Sequence, residues 1–462
     1  MLIIVSDLHL CDSTSQENID PEAFGLLLRE AYDLARHYHA EDLEIAFLGD
    51  IFDLLRTERW FVDPSGAEVE IRHRPWGSGD VLGDPKPSAE VLRTARTITK
   101  DIAARNELAL RILRGETLDS AEPPCEVRRS YIPGNHDRLF LLDEEIRNTV
   151  RDALGLHDPT KLGPGHRLHS LELPRYGLVA RHGHEWDMWN FERWRAGTAA
   201  AQYADEDYLH VPIGDPITTE LVARLPFELG RALADTSAFK GTPALDRVCR
   251  RMRRIEDVRP LLAAFRWVYD EARREHRTLT VEQSQTLQTV LRDTVRRVAS
   301  DFRHLEFYEQ WSHLHHRTLR IDATEKLDLV LSLLDHVGID TVGTLASHFS
   351  GLFDKLQTDD PCSAGASREA LDAVGQKGNR FVVYGHTHEA LQCALHVDAT
   401  SDIYLNSGTW RAREFLTADQ GGFIGWELFT YLVFVDGHEK GDGEPNRDGP
   451  AFVSWNGTRR IV

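Results

Sequence analysis

The stretch Leu2-Ile3-Ile4-Val5-Ser6-Asp7-Leu8-His9 is an apolar run of strand length that stops abruptly at a carboxylate and an imidazole two residues apart. A continuous aliphatic run of this size fits a strand covered on both faces. Residues i and i+2 leaving such a strand project to the same side, so Asp7 and His9 can meet at one point. The pattern recurs along the chain. Ile45 to Leu48 leads into Gly49-Asp50, and Val127 to Ile132 leads into Gly134-Asn135-His136-Asp137. Gly177 to Ala180 leads into His182-Gly183-His184, and Phe381 to Tyr384 into Gly385-His386-Thr387-His388. Strands that deliver ligands at their C-terminal ends predict an α/β site, and Pro21 to His39, apolar at three- and four-residue spacing, predicts the first crossover helix.

The glycines before Asp50, Asn135 and His386 permit tight turns and close backbone approach, so side chains from several strands can meet. Mixed Asp, Asn and His donors suit Mn, Fe, Zn or Co better than an all-thiolate site would. Strand capping and turn formation alone explain neither the order of these segments nor their shared ligand chemistry.

As an ordered set, D-x-H, G-D, G-N-H-D, H and G-H-x-H resemble the motif series of the calcineurin-like metallophosphoesterase superfamily. The resemblance implies a two-sheet α/β sandwich flanked by helices, around two divalent metal ions, Mn first and Zn, Fe, Co or Mg as alternatives. Carried over residue by residue, it implies that Asp7, His9 and His388 hold one ion and Asn135, His182 and His386 the other, with Asp50 bridging. It further implies hydrolysis of a phosphodiester or diphosphate bond by a hydroxide between the ions. His136 is then the general acid on the leaving oxygen, oriented by Asp137. Gly49 to Asp53, His182 to Asp187 and Tyr404 to Trp410 are most similar to the UDP-2,3-diacylglucosamine diphosphatase-like branch, which carries Arg and Asp where this chain has His136 and Thr409. The substrate implied is a small phosphate ester or a lipid- or nucleotide-linked diphosphate.

Beyond His182 to Asp187 the patterning turns helical until about Gly375. The chain therefore divides into a catalytic domain in two parts, 1–188 and 376–462, and an inserted α-helical cap, 189–375. After Tyr384, Asp402 to Leu405 and Tyr431 to Val435 are expected as antiparallel strands completing the second sheet, and Ala89 to Leu113 as one helix. Asp53 is expected to orient metal ligands, and His184 either to touch substrate or to support His182. Trp186, Trp189, Phe191 and Trp194 are expected to seat the insertion by packing, and His313, His315 and His316 to lie on a solvated face.

A net charge of -20 disfavours nonspecific binding to polyanions. Arg247 to Arg317 nevertheless holds fifteen Arg against ten acids, expected as solvated helix faces with intrahelical ion pairs. That basic segment keeps a metal-dependent nuclease as the alternative function, ahead of a metal-stabilised scaffold protein. No run approaches the roughly 18 to 20 apolar residues of a membrane span. No signal peptide is expected, and five scattered cysteines without a C-x-x-C pair point to a reducing cytoplasm.

Overall fold

The computed structural model describes residues 1–76, 86–117, 122–195, 197–259, 264–275, 278–315, 361–374, 381–397, 400–417, 422–441 and 449–460. Two mixed sheets lie face to face. The first runs in the order β3 (Glu126–Ile132), β2 (Asp42–Leu48), β1 (Leu2–Val5), β11 (Phe423–Val435), β10 (Ala412–Leu416) and β6 (Val258–Arg259). The last strand, β12 (Ala451–Arg460), pairs along the opposite edge of β11. The second sheet runs β4 (Leu171–Leu173), β5 (Leu178–Ala180), β7 (Phe381–Tyr384), β9 (Thr400–Ser407) and β8 (Ala390–Val397). Strands β1, β2 and β3 are mutually parallel, as are β5, β7 and β9.

Alternation within β1 explains why it is apolar throughout. Leu2 and Ile4 meet Leu178, Val383 and Leu405 of the other sheet, whereas Ile3 and Val5 meet the helices on the outer face. All four are fully buried, each contributing roughly 1.5–3 kcal/mol of transfer free energy. The outer helices are α1 (Pro21–His37), α2 (Ala89–Arg105), α3 (Glu107–Leu113), α4 (Arg138–Leu142) and α5 (Glu144–Leu154). Asp20 caps α1 by accepting from the Glu22 amide at 3.0 Å, and Pro21 fills the first turn. The single helix expected over Ala89 to Leu113 is broken at Asn106, whose Nδ2 donates to Ile102 O at 2.9 Å and Cys11 O at 2.8 Å. This amide ties the helix joint to the loop after β1.

One strand assignment is corrected. Tyr431 to Val435 is antiparallel as expected but belongs to the first sheet, in β11 beside β1, whereas Asp402 to Leu405 lies in the second sheet, in β9, antiparallel to β8 and parallel to β7. Alternation in a sequence reports which side chains are covered but not which strand lies alongside.

Helices Arg224–Ala234, Pro243–Met252, Ala264–Glu275, Val281–Arg303 and Glu306–His315 share a separate apolar cluster, joined by Trp76 and Phe423 from outside the helical segment. Two pieces of the span 189–375 pack with the sheets instead. Strand β6 extends the first sheet beside β10, and helix Pro361–Val374 covers the outer face of the second through Cys362, Ala366 and Ala370. Residues 316–360 of that span lie outside the described residues, His316 among them. Among the described residues no helix is long and apolar enough to cross a membrane. All five cysteines are free thiols.

Candidate metal centre

The five ligand-bearing segments leave β1, β2, β3, β5 and β7 at their C-terminal ends and converge at one edge of the two sheets. The loops after β1 and β2 run side by side: the Asp7 amide donates to Gly49 O at 3.0 Å and the His9 amide to Asp50 O at 2.9 Å. Asp7 (φ 52°), His9 (44°), Asp50 (53°), His386 (68°) and His388 (61°) all hold left-handed backbone conformations. Such a conformation costs a non-glycine residue roughly 1–3 kcal/mol and persists only where the surroundings enforce it. Only two other non-glycine residues, Ser13 and His39, share it among the described residues, so the strain is concentrated at the predicted ligands.

Six of the seven predicted ligands form one unbroken line. His388 Nε2 lies 3.2 Å from Asp7 Oδ1 and 3.0 Å from His9 Nε2. His9 Nε2 lies 3.7 Å from Asp50 Oδ2, which lies 3.4 Å from His182 Nε2. His182 Nε2 in turn faces Asn135 Oδ1 at 3.2 Å. All six residues are buried. The seventh, His386, stacks edge-on to His182 with ring centroids 5.3 Å apart, but its Nε2 pairs with Asp187 Oδ2 at 3.1 Å.

Asp187 was given no role by the sequence, although it ends the segment His182 to Asp187. Its Oδ2 also accepts from Asn190 Nδ2 at 2.7 Å, and Asn190 Oδ1 accepts from Asn135 Nδ2 at 3.3 Å. With its amide nitrogen held there, Asn135 turns its oxygen toward His182. Asp53 holds two rings at once, accepting from His9 Nδ1 at 2.9 Å and from His136 Nδ1 at 3.0 Å. Asp137, expected to orient His136, instead accepts from the Asp50 amide at 2.6 Å and the Gly134 amide at 3.1 Å. Standing at the start of α4, it faces back onto the loops and fixes the backbone rather than the imidazole.

Hydrogen bonding sets the tautomers. The neighbouring imidazoles and Arg56 outweigh burial and keep the Asp53 carboxyl well below its usual range, so it accepts and His9 Nδ1 carries the proton. His182 Nδ1 donates likewise to the Leu48 carbonyl at 2.9 Å. When neutral, these two rings aim Nε2 lone pairs at carboxylate and amide oxygens, an arrangement that repels unless a cation or a proton lies between. Asp7 Oδ1 is buried and has no hydrogen-bond partner. Burial pushes the Asp7 carboxyl up to about 6 and drives His9 down to about 3. At His182 burial opposes the charged form, but Asp50 outweighs it and raises the ring to about 10. The cavity is thus short of positive charge, and its hard oxygen and imidazole donors fit divalent cations, whose binding displaces such a proton.

No family model matches the chain, and no curated protein is similar to it in sequence.

Three loop glycines make the convergence sterically feasible. A Cβ at Gly49 would fall 2.2 Å from His182 Nδ1, one at Gly134 2.2 Å from Asp50 Oδ1, and one at Gly385 2.5 Å from Asp7 Oδ2. The aromatics after His182 do pack. Trp186 lies under helix Pro361–Val374, Trp189 stacks near Trp311, and Phe191 meets His184, Tyr203 and Tyr208. His184, buried beside His182 and His386, is held well below its usual pKa first by burial and then by those two rings, so it stays neutral.

Proposed function

We propose that this chain is a hydrolase that cleaves a phosphodiester or diphosphate bond with two divalent cations, Mn first. Asp7, His9 and His388 would hold one, Asn135 and His182 the other with His386 beside it, and Asp50 would bridge them. The observation that carries this reading is the position of Asp50, in the middle of a line of inward-facing donors, between His9 on one side and His182 on the other. A single-cation site has no use for so long a line of ligands. When bound, such a cation pair polarises phosphoryl oxygens and acidifies the water between them.

The chain's own residues supply the rest. Asp53 grips His136 through Nδ1 and favours its imidazolium form, which leaves Nε2–H to protonate the departing oxygen. Because the same carboxylate grips His9, the acid and one cation ligand are positioned by one group. Burial of the line excludes bulk water and strengthens its electrostatics. The substrate class that suits this chemistry is a small phosphodiester or a lipid- or nucleotide-linked diphosphate.

The test is hydrolysis of bis-p-nitrophenyl phosphate by metal-stripped protein resupplied with Mn, Zn, Mg or Co. Turnover is expected only with added metal, is abolished in Asp50→Ala and changes little in His136→Ala, since p-nitrophenolate leaves without a proton. Protein that takes up two equivalents of metal yet hydrolyses no phosphodiester or diphosphate overturns the reading in favour of a scaffold role.

A further inference from the structure

A second polar cavity, of about 310 Å³, lies between the helical segment and the loops after β1 and β9, and the proposed reaction does not use it. Six arginines line it: Arg247, Arg250, Arg251, Arg253, Arg254 and Arg411. Only three acids share the wall, Glu17, Asp257 and Glu427. Arg247, Arg250 and Arg251 stand at i, i+3 and i+4 on helix Pro243–Met252, and Arg253 and Arg254 follow on the turn that continues it. Like charges at these spacings repel, so the run works against the helix that carries it.

Acids on neighbouring elements pair with five of the six arginines. Arg251 Nη1 donates to Glu271 Oε2 at 2.6 Å, Arg247 Nε to Glu275 Oε2 at 3.2 Å, and Arg411 Nη2 to Asp257 Oδ1 at 2.7 Å. Arg253 faces Glu58 at 3.5 Å and Arg254 pairs with Glu414. Those pairs join different elements, whereas the expected intrahelical pairing is found farther along, in Arg266–Asp270 and Arg274–Glu271. Arg250 is exposed and has no acidic partner among the described residues. Each guanidinium has five N–H donors in a planar fork, and each contact above engages one nitrogen of it. Gly425 keeps the wall open beside Arg254, since a Cβ there would fall 2.7 Å from its Nη2.

We propose that this cavity binds a small anion carrying two or more phosphate groups, at a site separate from the metal centre. Guanidinium forks pair with phosphate oxygens in bidentate fashion, and several together neutralise a polyanion that a single Arg would not hold. The volume is that of a small-molecule pocket, at the low end of roughly 300–1,000 Å³. Buried Arg411 forms the partition between the two sites, with Nη1 3.5 Å from His9 O and 3.4 Å from Glu17 O. Inorganic polyphosphate and a nucleoside polyphosphate share the chemistry, and the proposal does not depend on the hydrolase reading.

Calorimetric titration of the metal-loaded full chain with tripolyphosphate, ATP and adenosine tests it. Tripolyphosphate and ATP are expected to bind and adenosine not to; equal affinities point to an inorganic source, tighter ATP to a nucleotide. Arg250→Ala alone, and with Arg253→Ala, should weaken both by at least about tenfold, while Asp50→Ala should leave them within about twofold. Affinity unchanged in the arginine variants, binding lost in Asp50→Ala, or a single-stranded oligonucleotide held more tightly than tripolyphosphate each overturns the proposal.

Discussion

At the strand ends carboxylates and imidazole lone pairs converge, whereas across Arg411 six guanidiniums converge, five of them paired with acids and Arg250 not. The two regions reach these opposite conditions by different means. The candidate metal centre is set by backbone, through left-handed ligand residues on three of the five strand ends, those of β1, β2 and β7, and glycines that allow contact distances no Cβ would permit. No residue lining the arginine cavity has positive φ, and its arginines project from a helix, the turn that continues it and the loop after β9, most of them steadied by ion pairs. A site written into strained backbone tolerates little substitution, while one written into flexible side chains can lose a member and keep its fold.

The variants that test this contrast fall in order of effect. Asp50→Ala should lower phosphodiester turnover by at least about 10³-fold, the upper end of what losing one preorganised electrostatic group costs, and reduce bound metal. Two equivalents of metal retained with near-normal turnover would remove Asp50 from the bridge. His136→Ala should lower turnover by about 10²–10⁴-fold on a diester with an alkoxide leaving group, but far less with p-nitrophenolate, which needs no proton. Equal losses on both substrates would argue against a general acid. Asp53→Asn should weaken metal binding by about 10–100-fold, because it loosens the ring of His9, and Arg250→Ala should leave metal binding unchanged.

Stability separates the two regions as well. Gly134→Ala should cost about 1–3 kcal/mol in urea unfolding, because its new methyl group would collide with Asp50 Oδ1. Arg250→Ala, exposed and unpaired with any acid, should change stability by no more than about 0.5 kcal/mol. If the two variants unfold at the same urea concentration, the contrast between backbone-built and side-chain-built sites fails.

Much of the candidate metal centre is legible in the amino-acid sequence. Asp7 and His9 follow an apolar run and are spaced to share a side, and Gly49, Gly134 and Gly385 precede ligands where a Cβ would clash. The neighbours of those ligands are less accessible. Asp137 adjoins His136 in sequence, yet Asp53, from the loop after β2, holds the ring. Asp187 reaches both His386 and Asn190, although nothing in the spacing of His182 to Asp187 distinguishes it from Glu185.

The sequence by itself determined the strand cores and the order of the ligands they deliver, because a strand buried on both faces must be continuously apolar and the polar residue that ends it must meet a partner. Only the tertiary structure decided that Tyr431 to Val435 joins the first sheet, that Asp53 rather than Asp137 orients His136, and that five helical-segment arginines and Arg411 enclose one cavity. Periodicity encodes burial along one element, whereas the partner of a strand edge, a carboxylate or a guanidinium is fixed by other elements, tens to hundreds of residues away.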